Sequence, residues 1–181
     1  MKNKTLAMTL ALAVGLAAAG TAQAEGKIYI GAKLGMADPD IPGFDNVAVG
    51  GVYGGFNLLG KDSQFAADLR GGTLAVEGEA LMTLSKGKAD IYGKYDITSL
   101  GVYAAYRHPL TDNFYLKGKV GVVRYDINTT IGSGPSAAGT NTDLAAGVGA
   151  GWKIGPGSIE AEITTYQSDV LLVSGGFHMS F

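Results

Sequence analysis

Hydrophobic positions along this chain recur at every second residue, the period of a strand and not of a helix. Ile28, Ile30, Ala32, Leu34 and Met36 alternate with Tyr29, Gly31, Lys33 and Gly35. Leu100, Val102, Ala104 and Tyr106 alternate with Ser99, Gly101, Tyr103 and Arg107. Phe114, Leu116, Gly118, Val120 and Val122 alternate with Tyr115, Lys117, Lys119 and Gly121. Leu144 to Ile154, Ile159 to Ile163 and Val173 to Phe181 follow the same rule. Val47–Leu58 and Leu74–Leu84 complete the set, the former with weaker alternation. The pattern predicts eight strands of about ten residues, the length that a tilted strand needs to cross a bilayer.

The intervening segments alternate in size. His108–Asn113 and Gly155–Ser158 read as tight turns, whereas Asp38–Asn46, Ser85–Tyr95 and Asn128–Thr142 are longer and polar. Short turns at one end and long loops at the other fit an antiparallel up-and-down transmembrane β-barrel. Gly60–Thr73 is long for a turn and Gln167–Asp169 is short for a loop. Phe65–Leu69 is apolar enough to extend a strand, which leaves the boundaries of the second and third strands open.

A soluble barrel would alternate as well. Three features favour the membrane. Aromatic residues stand near strand ends on the apolar faces (Tyr106, Phe114, Trp152, Phe181), as interfacial girdles do. The opposite faces mix glycine with charge, which suits a narrow filled lumen. The last residue, Phe181, continues the alternation where a frayed polar tail is the usual ending.

The N-terminal segment adds a compartment. Two lysines precede an apolar stretch, Leu6–Ala19, too short for a spanning helix, and Ala22-Gln23-Ala24 fits an A-x-A cleavage site. Residues 1–24 therefore read as a secretory signal, cleaved after Ala24, and residues 25–181 as one barrel domain. There is no cysteine, so neither a disulfide nor a thiolate metal site is expected. A net charge of −2 gives no electrostatic footprint for nucleic acid. Glycine, 29 of 181 residues, is about twice as frequent as usual.

The chain resembles the small outer-membrane β-barrel family of Gram-negative bacteria, which includes the barrel of outer membrane protein A and the opacity-type porin-like surface proteins. The resemblance is carried by the signal segment, "GVYGGFNLLG" (Gly51–Gly60), "LAVEGE" (Leu74–Glu79), "LGVYAAYRHPL" (Leu100–Leu110), "LAAGVGAGWKIG" (Leu144–Gly155) and Phe181. It implies a monomer in the outer membrane, with lipid and lipopolysaccharide around it. It also implies that the barrel-assembly machinery reads Phe181 during biogenesis.

Candidate chemistry is sparse. "GFNLLGKD" (Gly55–Asp62) nearly matches a phosphate loop, but Asp62 replaces the magnesium-binding hydroxyl and no helix follows. Glu77/Glu79 and Glu160/Glu162 are carboxylate pairs at i and i+2, about 6.6 Å apart on one face of a strand. That spacing falls in the inverting-glycosidase range, yet no aromatic sugar cleft accompanies it. The four acids lie near the short-turn end, as do the bases Arg107, Lys117, Lys119 and Lys153. Four acids against four bases in a lumen that holds little but side chains read as a plug. Gly147, Gly149 and Gly151 on the strand between leave room for it.

His178 and Ser180 invite comparison with outer-membrane lipid A deacylases, which resemble barrels bearing a His/Ser pair. Both residues, and the only other histidine, His108, fall on the side away from the outer leaflet where that chemistry occurs. The expectation is a non-enzymatic barrel without cofactor or metal, with a structural or adhesive role through its loops. A small passive pore is the alternative, and a lipid-modifying enzyme the more distant one. Ile131–Thr142, small and polar, reads as a mobile loop.

Overall fold

The computed structural model describes residues 28–40, 42–59, 71–89, 93–130, 137–167 and 170–181, apart from the side chains of 137 and 138. The signal segment with Ala22 and Ala24, the stretch Phe65–Leu69 and the end of the phosphate-loop-like motif lie outside these residues.

Nine strands run in chain order: β1 (Ile28–Asp38), β2 (Val47–Leu59), β3 (Thr73–Thr83), β4 (Gly87–Ala89), β5 (Gly93–Pro109), β6 (Phe114–Thr130), β7 (Ala137–Ile154), β8 (Gly157–Tyr166) and β9 (Val170–Ser180). Each long strand pairs antiparallel with its neighbour, β1 pairs with β9, and β3 pairs with β5 across the short β4. Eight long strands thus close into a barrel and leave no open edge through its wall. β4 continues β3 along the same edge of β5 after a short break, with Ala89 buried in the lumen. The predicted second and third strands differ from β2 and β3 by one residue at their ends.

The turns show why the register holds. β7 and β8 are joined by Gly155-Pro156, with Gly155 at φ +58, the sign that a two-residue hairpin of this hand needs at its first position. Between β5 and β6, the Leu110 and Thr111 N–H groups donate to the Phe114 carbonyl, and the Phe114 N–H donates to Thr111 Oγ1.

The outer surface is the reverse of a soluble protein's. Leu34, Val102, Val120, Leu144, Val148, Ile163 and Val173 point outward, Val148 at 67% exposure. Lysines and glutamates point inward, Lys117 at 3%. Exposed aromatic residues stand at the short-turn end, where Trp152 packs at 6.1 Å from Phe114 and Phe56 and Phe177 point outward on β2 and β9.

The predicted long loops need correction. β5 and β6 have 17 residues and β7 has 18, so strand continues far into Ser85–Tyr95 and Asn128–Thr142. Residues 137–142 are β7 and not loop, while 131–136 lie outside the described residues. Once the outward apolar face ends near Val122 and Leu144, backbone pairing carries the strands onward, from Val122↔Leu144 to Thr129↔Ala137, with Val123 and Tyr125 still buried on the inward side of β6.

Candidate functional site

The lumen is filled in two layers. Towards the short turns lies a charged layer built by β1, β3, β5, β6 and β8. Lys117 Nζ sits 2.9 Å from Glu77 Oε2, 3.0 Å from Glu160 Oε2 and 3.0 Å from Glu162 Oε2. Lys119 Nζ lies 2.6 Å from Glu162 Oε1 and 3.3 Å from Glu79 Oε2. Arg107 donates from Nε to Glu160 Oε1 at 2.9 Å and from Nη2 to Glu77 Oε2 at 3.0 Å. Lys33 donates to Glu162 Oε1 at 2.9 Å and also to Glu79.

Four cations thus balance four carboxylates, but the fourth cation is Lys33 and not Lys153. Lys153 is exposed at the short-turn mouth, and no described residue forms an ion pair with it. Alternation placed Lys33 on the inward face, so its signal was present. What it lacked was a height, and strand tilt supplies that by bringing Lys33 level with Glu79 and Glu162.

Aromatic rings line this layer. The Arg107 guanidinium lies 4.4 Å from the Tyr29 ring centre, and Lys119 Nζ 4.1 Å from that of Tyr103. Tyr29 donates to Glu77 at 2.8 Å and Tyr115 to Glu160 at 2.7 Å. A Cβ at Gly151 would stand 2.2 Å from the Tyr115 ring, so this glycine makes room for the tyrosine. His178 is inside the lumen, its Nδ1 3.0 Å from Tyr53 Oη and 3.9 Å from Glu160.

The second layer, towards the long loops, is apolar. Val47, Val49, Leu81, Ile97, Val123 and Leu172 pack with Tyr95, Tyr103, Tyr125 and Tyr166 into one buried cluster. Phe44 caps it from above, its ring 4.8 Å from that of Tyr95.

Beyond that cap the rim is uneven. β8 ends at Tyr166, paired with Ala145, whereas β7 begins at Ala137. The stretch Ala137–Leu144 therefore stands above β8, roughly 27 Å of strand at the usual rise. Leu144 accepts from the Gln167 N–H at 2.8 Å and donates to Gln167 Oε1 at 3.4 Å. Both backbone groups of Leu144 thus face the β8 side. In an antiparallel strand that side recurs every second residue. Ala138, Thr140 and Thr142 therefore turn their N–H and C=O groups the same way, where no described residue pairs with them.

Phe181 projects outward at 54% exposure. Its N–H donates to the Ile28 carbonyl at 2.8 Å, so it extends the seam between β9 and β1.

The family model described as "Outer membrane protein beta-barrel domain" matches residues 6–170. None of the curated protein sequences matches the chain. Among solved structures, the barrel is similar to Ail, the attachment invasion locus protein of Yersinia pestis, at a TM-score of 0.55 and 16% identity, over 87% of this chain and 98% of Ail. It is similar to Neisserial surface protein A at a TM-score of 0.57 and 12% identity, over 85% of this chain and 96% of that one. A designed transmembrane barrel, TMB2.3, aligns at a TM-score of 0.53 and 11% identity, over 88% of this chain and 97% of the design. At these identities the likeness is one of fold.

Proposed function

The chain belongs to the outer membrane protein β-barrel family, and from that premise we propose that it is a non-enzymatic surface adhesin that captures extended peptide segments on the uncovered edge of β7. The barrel lies in the outer membrane. Proteins of this architecture turn their short connections to the periplasm and their long ones outward. The tall β5–β6–β7 sheet accordingly stands outside the cell.

The observation that carries the reading is the row of backbone groups on Ala138, Thr140 and Thr142. An edge of this kind is a template for strand addition. Natural edges are blunted by lysine, proline or a bulge, and Ala137–Asp143 carries none of these. A second copy in the same membrane is a poor occupant. A two-fold axis along the membrane normal would bring two β7 strands together without the antiparallel sense that like edges need. A segment from an outside protein has no such constraint. The name of Ail, an attachment protein of this fold, agrees with the reading.

The non-enzymatic reading is supported by the placement of the histidines. His178 is turned to Tyr53 at the periplasmic end, and His108 stacks on Tyr106 at that same end. No histidine stands where outer-leaflet lipid would be attacked. The filled lumen speaks against a pore.

Thr140→Pro tests the adhesin. It removes one outward N–H and leaves the β6 ladder intact. Cells carrying this variant should show the same heat-modifiable barrel in outer-membrane fractions but should lose several-fold in retention on immobilised extracellular proteins. Equal retention by variant and parent would refute the edge mechanism.

A further inference from the structure

The periplasmic mouth of the lumen holds a cavity of about 320 Å³ below the plug, with Arg107, Tyr29 and Tyr115 as its floor. Each of the eight barrel strands contributes a side chain from the first inward positions at that end. The charges on its wall have one sign. Arg107 and Lys153 line it, and among the described residues no aspartate or glutamate does. Glu77 and Glu160 lie deeper, against Arg107.

The two cations differ. Arg107 is held by two carboxylates and by Tyr29, whose Oη accepts from Nη1 at 3.1 Å. The four-against-four balance of the plug is complete without Lys153, which is exposed and has no ion-pair partner among the described residues. It is therefore surplus positive charge at the rim of a polar cavity. Neutral groups that can pair with an amide complete the wall: Asn57, Thr73, Ser158 and Ser180.

We propose that this vestibule is a binding site for the carboxylate end of a short peptide in the periplasm, with Lys153 as the anchoring cation. Three features select that ligand. The excess charge on the wall is positive, which favours an oxyanion. The volume is at the small end of known ligand cavities, enough for a chain end and too small for a folded domain. The lining comes from the lumenal ends of the strands and from the Gly155-Pro156 turn at the periplasmic mouth, away from the outer leaflet. Hydroxyl and amide groups beside the cation favour a peptide over a bare ion. The site rests on the barrel alone and is independent of the β7 edge.

The test uses the whole barrel in lipid nanodiscs, where both mouths are open to solvent. Backbone amide shifts are followed while N-acetyl-alanyl-alanine, the same dipeptide as its C-terminal amide, and inorganic phosphate are added in turn. The free acid should give saturable shifts at Thr73, Ser158 and Ser180, and the amide form should give none. Lys153→Gln, at an exposed position outside the plug, should weaken binding about tenfold or more, the usual consequence of losing a charge-assisted hydrogen bond. Lys153→Glu should abolish it. Phosphate should bind more weakly than the acid. The proposal is overturned by the lack of a saturable shift, by an equal response to the amide, or by unchanged affinity in Lys153→Gln. Phosphate binding as tightly as the dipeptide would overturn the peptide assignment.

Discussion

Lys117 shows how much can depend on one side chain in this lumen. Its ammonium lies within 3.0 Å of three carboxylates, on Glu77, Glu160 and Glu162. Removing it leaves buried negative charge without its central partner, a loss of roughly 3–5 kcal/mol. Lys117→Ala should lower the unfolding midpoint in urea by that equivalent, whereas Lys153→Ala, exposed and unpaired, should change stability by less than about 0.5 kcal/mol. Equal midpoints for the two variants would contradict the network. Which residues face inward was legible in the sequence, because a strand has only two faces. Which cations meet which acids was not. Periodicity fixes the side on which a residue lies, whereas its height depends on strand tilt and stagger. That is why Lys33 joins the network and Lys153, although inward by count, stands at the mouth.

At the scale of the element, each strand answers to two environments. The outward face of β6 and β7 is apolar from Leu116 to Val122 and from Leu144 to Val148, the span that lies against lipid. Arginine near mid-membrane on that face costs roughly 2–4 kcal/mol. Val120→Arg and Val148→Arg should therefore fold poorly into bilayers, as read by the heat-modifiable shift. Gly78→Ala is the matching control, since a methyl there meets no atom within 4 Å. Gly121→Ser is no such control, because its Cβ would come within 2.0 Å of the Val102 carbonyl. If the arginine variants fold like the Gly78→Ala protein, the facing assignment fails. The same strands show where the pattern stops being informative. Past Val122 and Leu144 they run on through threonine, asparagine and glycine. On β7 no core-facing alternation marks that part, so it read as loop, yet its β6-facing backbone groups pair strand to strand, and β6 keeps its inward alternation through Val123, Tyr125 and Ile127.

For the whole molecule, the consequence of two stacked layers is a closed lumen. A charged layer with matched partners and an apolar layer capped by Phe44 leave no continuous wet path among the described residues. In planar bilayers the parent protein should show at most rare and small openings. Glu160→Ala and Lys117→Ala, each of which strands partners, should raise opening frequency. Steady ohmic current from the parent would restore the pore alternative. The apolar cap was invisible from sequence for a simple reason. Val47 and Val49 on β2 face inward while Ala48 and Val52 face outward, so both faces of that strand are apolar and its alternation is weak.

The sequence by itself determined the class: period-two hydrophobicity, glycine opposite charge, and turns of two sizes leave a membrane barrel as the economical reading. These are local properties, set by neighbours one and two residues away. The tertiary structure alone decided the partners of each lumenal charge, the apolar second layer, the overhang of β7 beyond β8, and the cationic vestibule around Lys153. Each of these depends on the relative height of residues on different strands. Closure and tilt fix that height collectively, and no single strand encodes it.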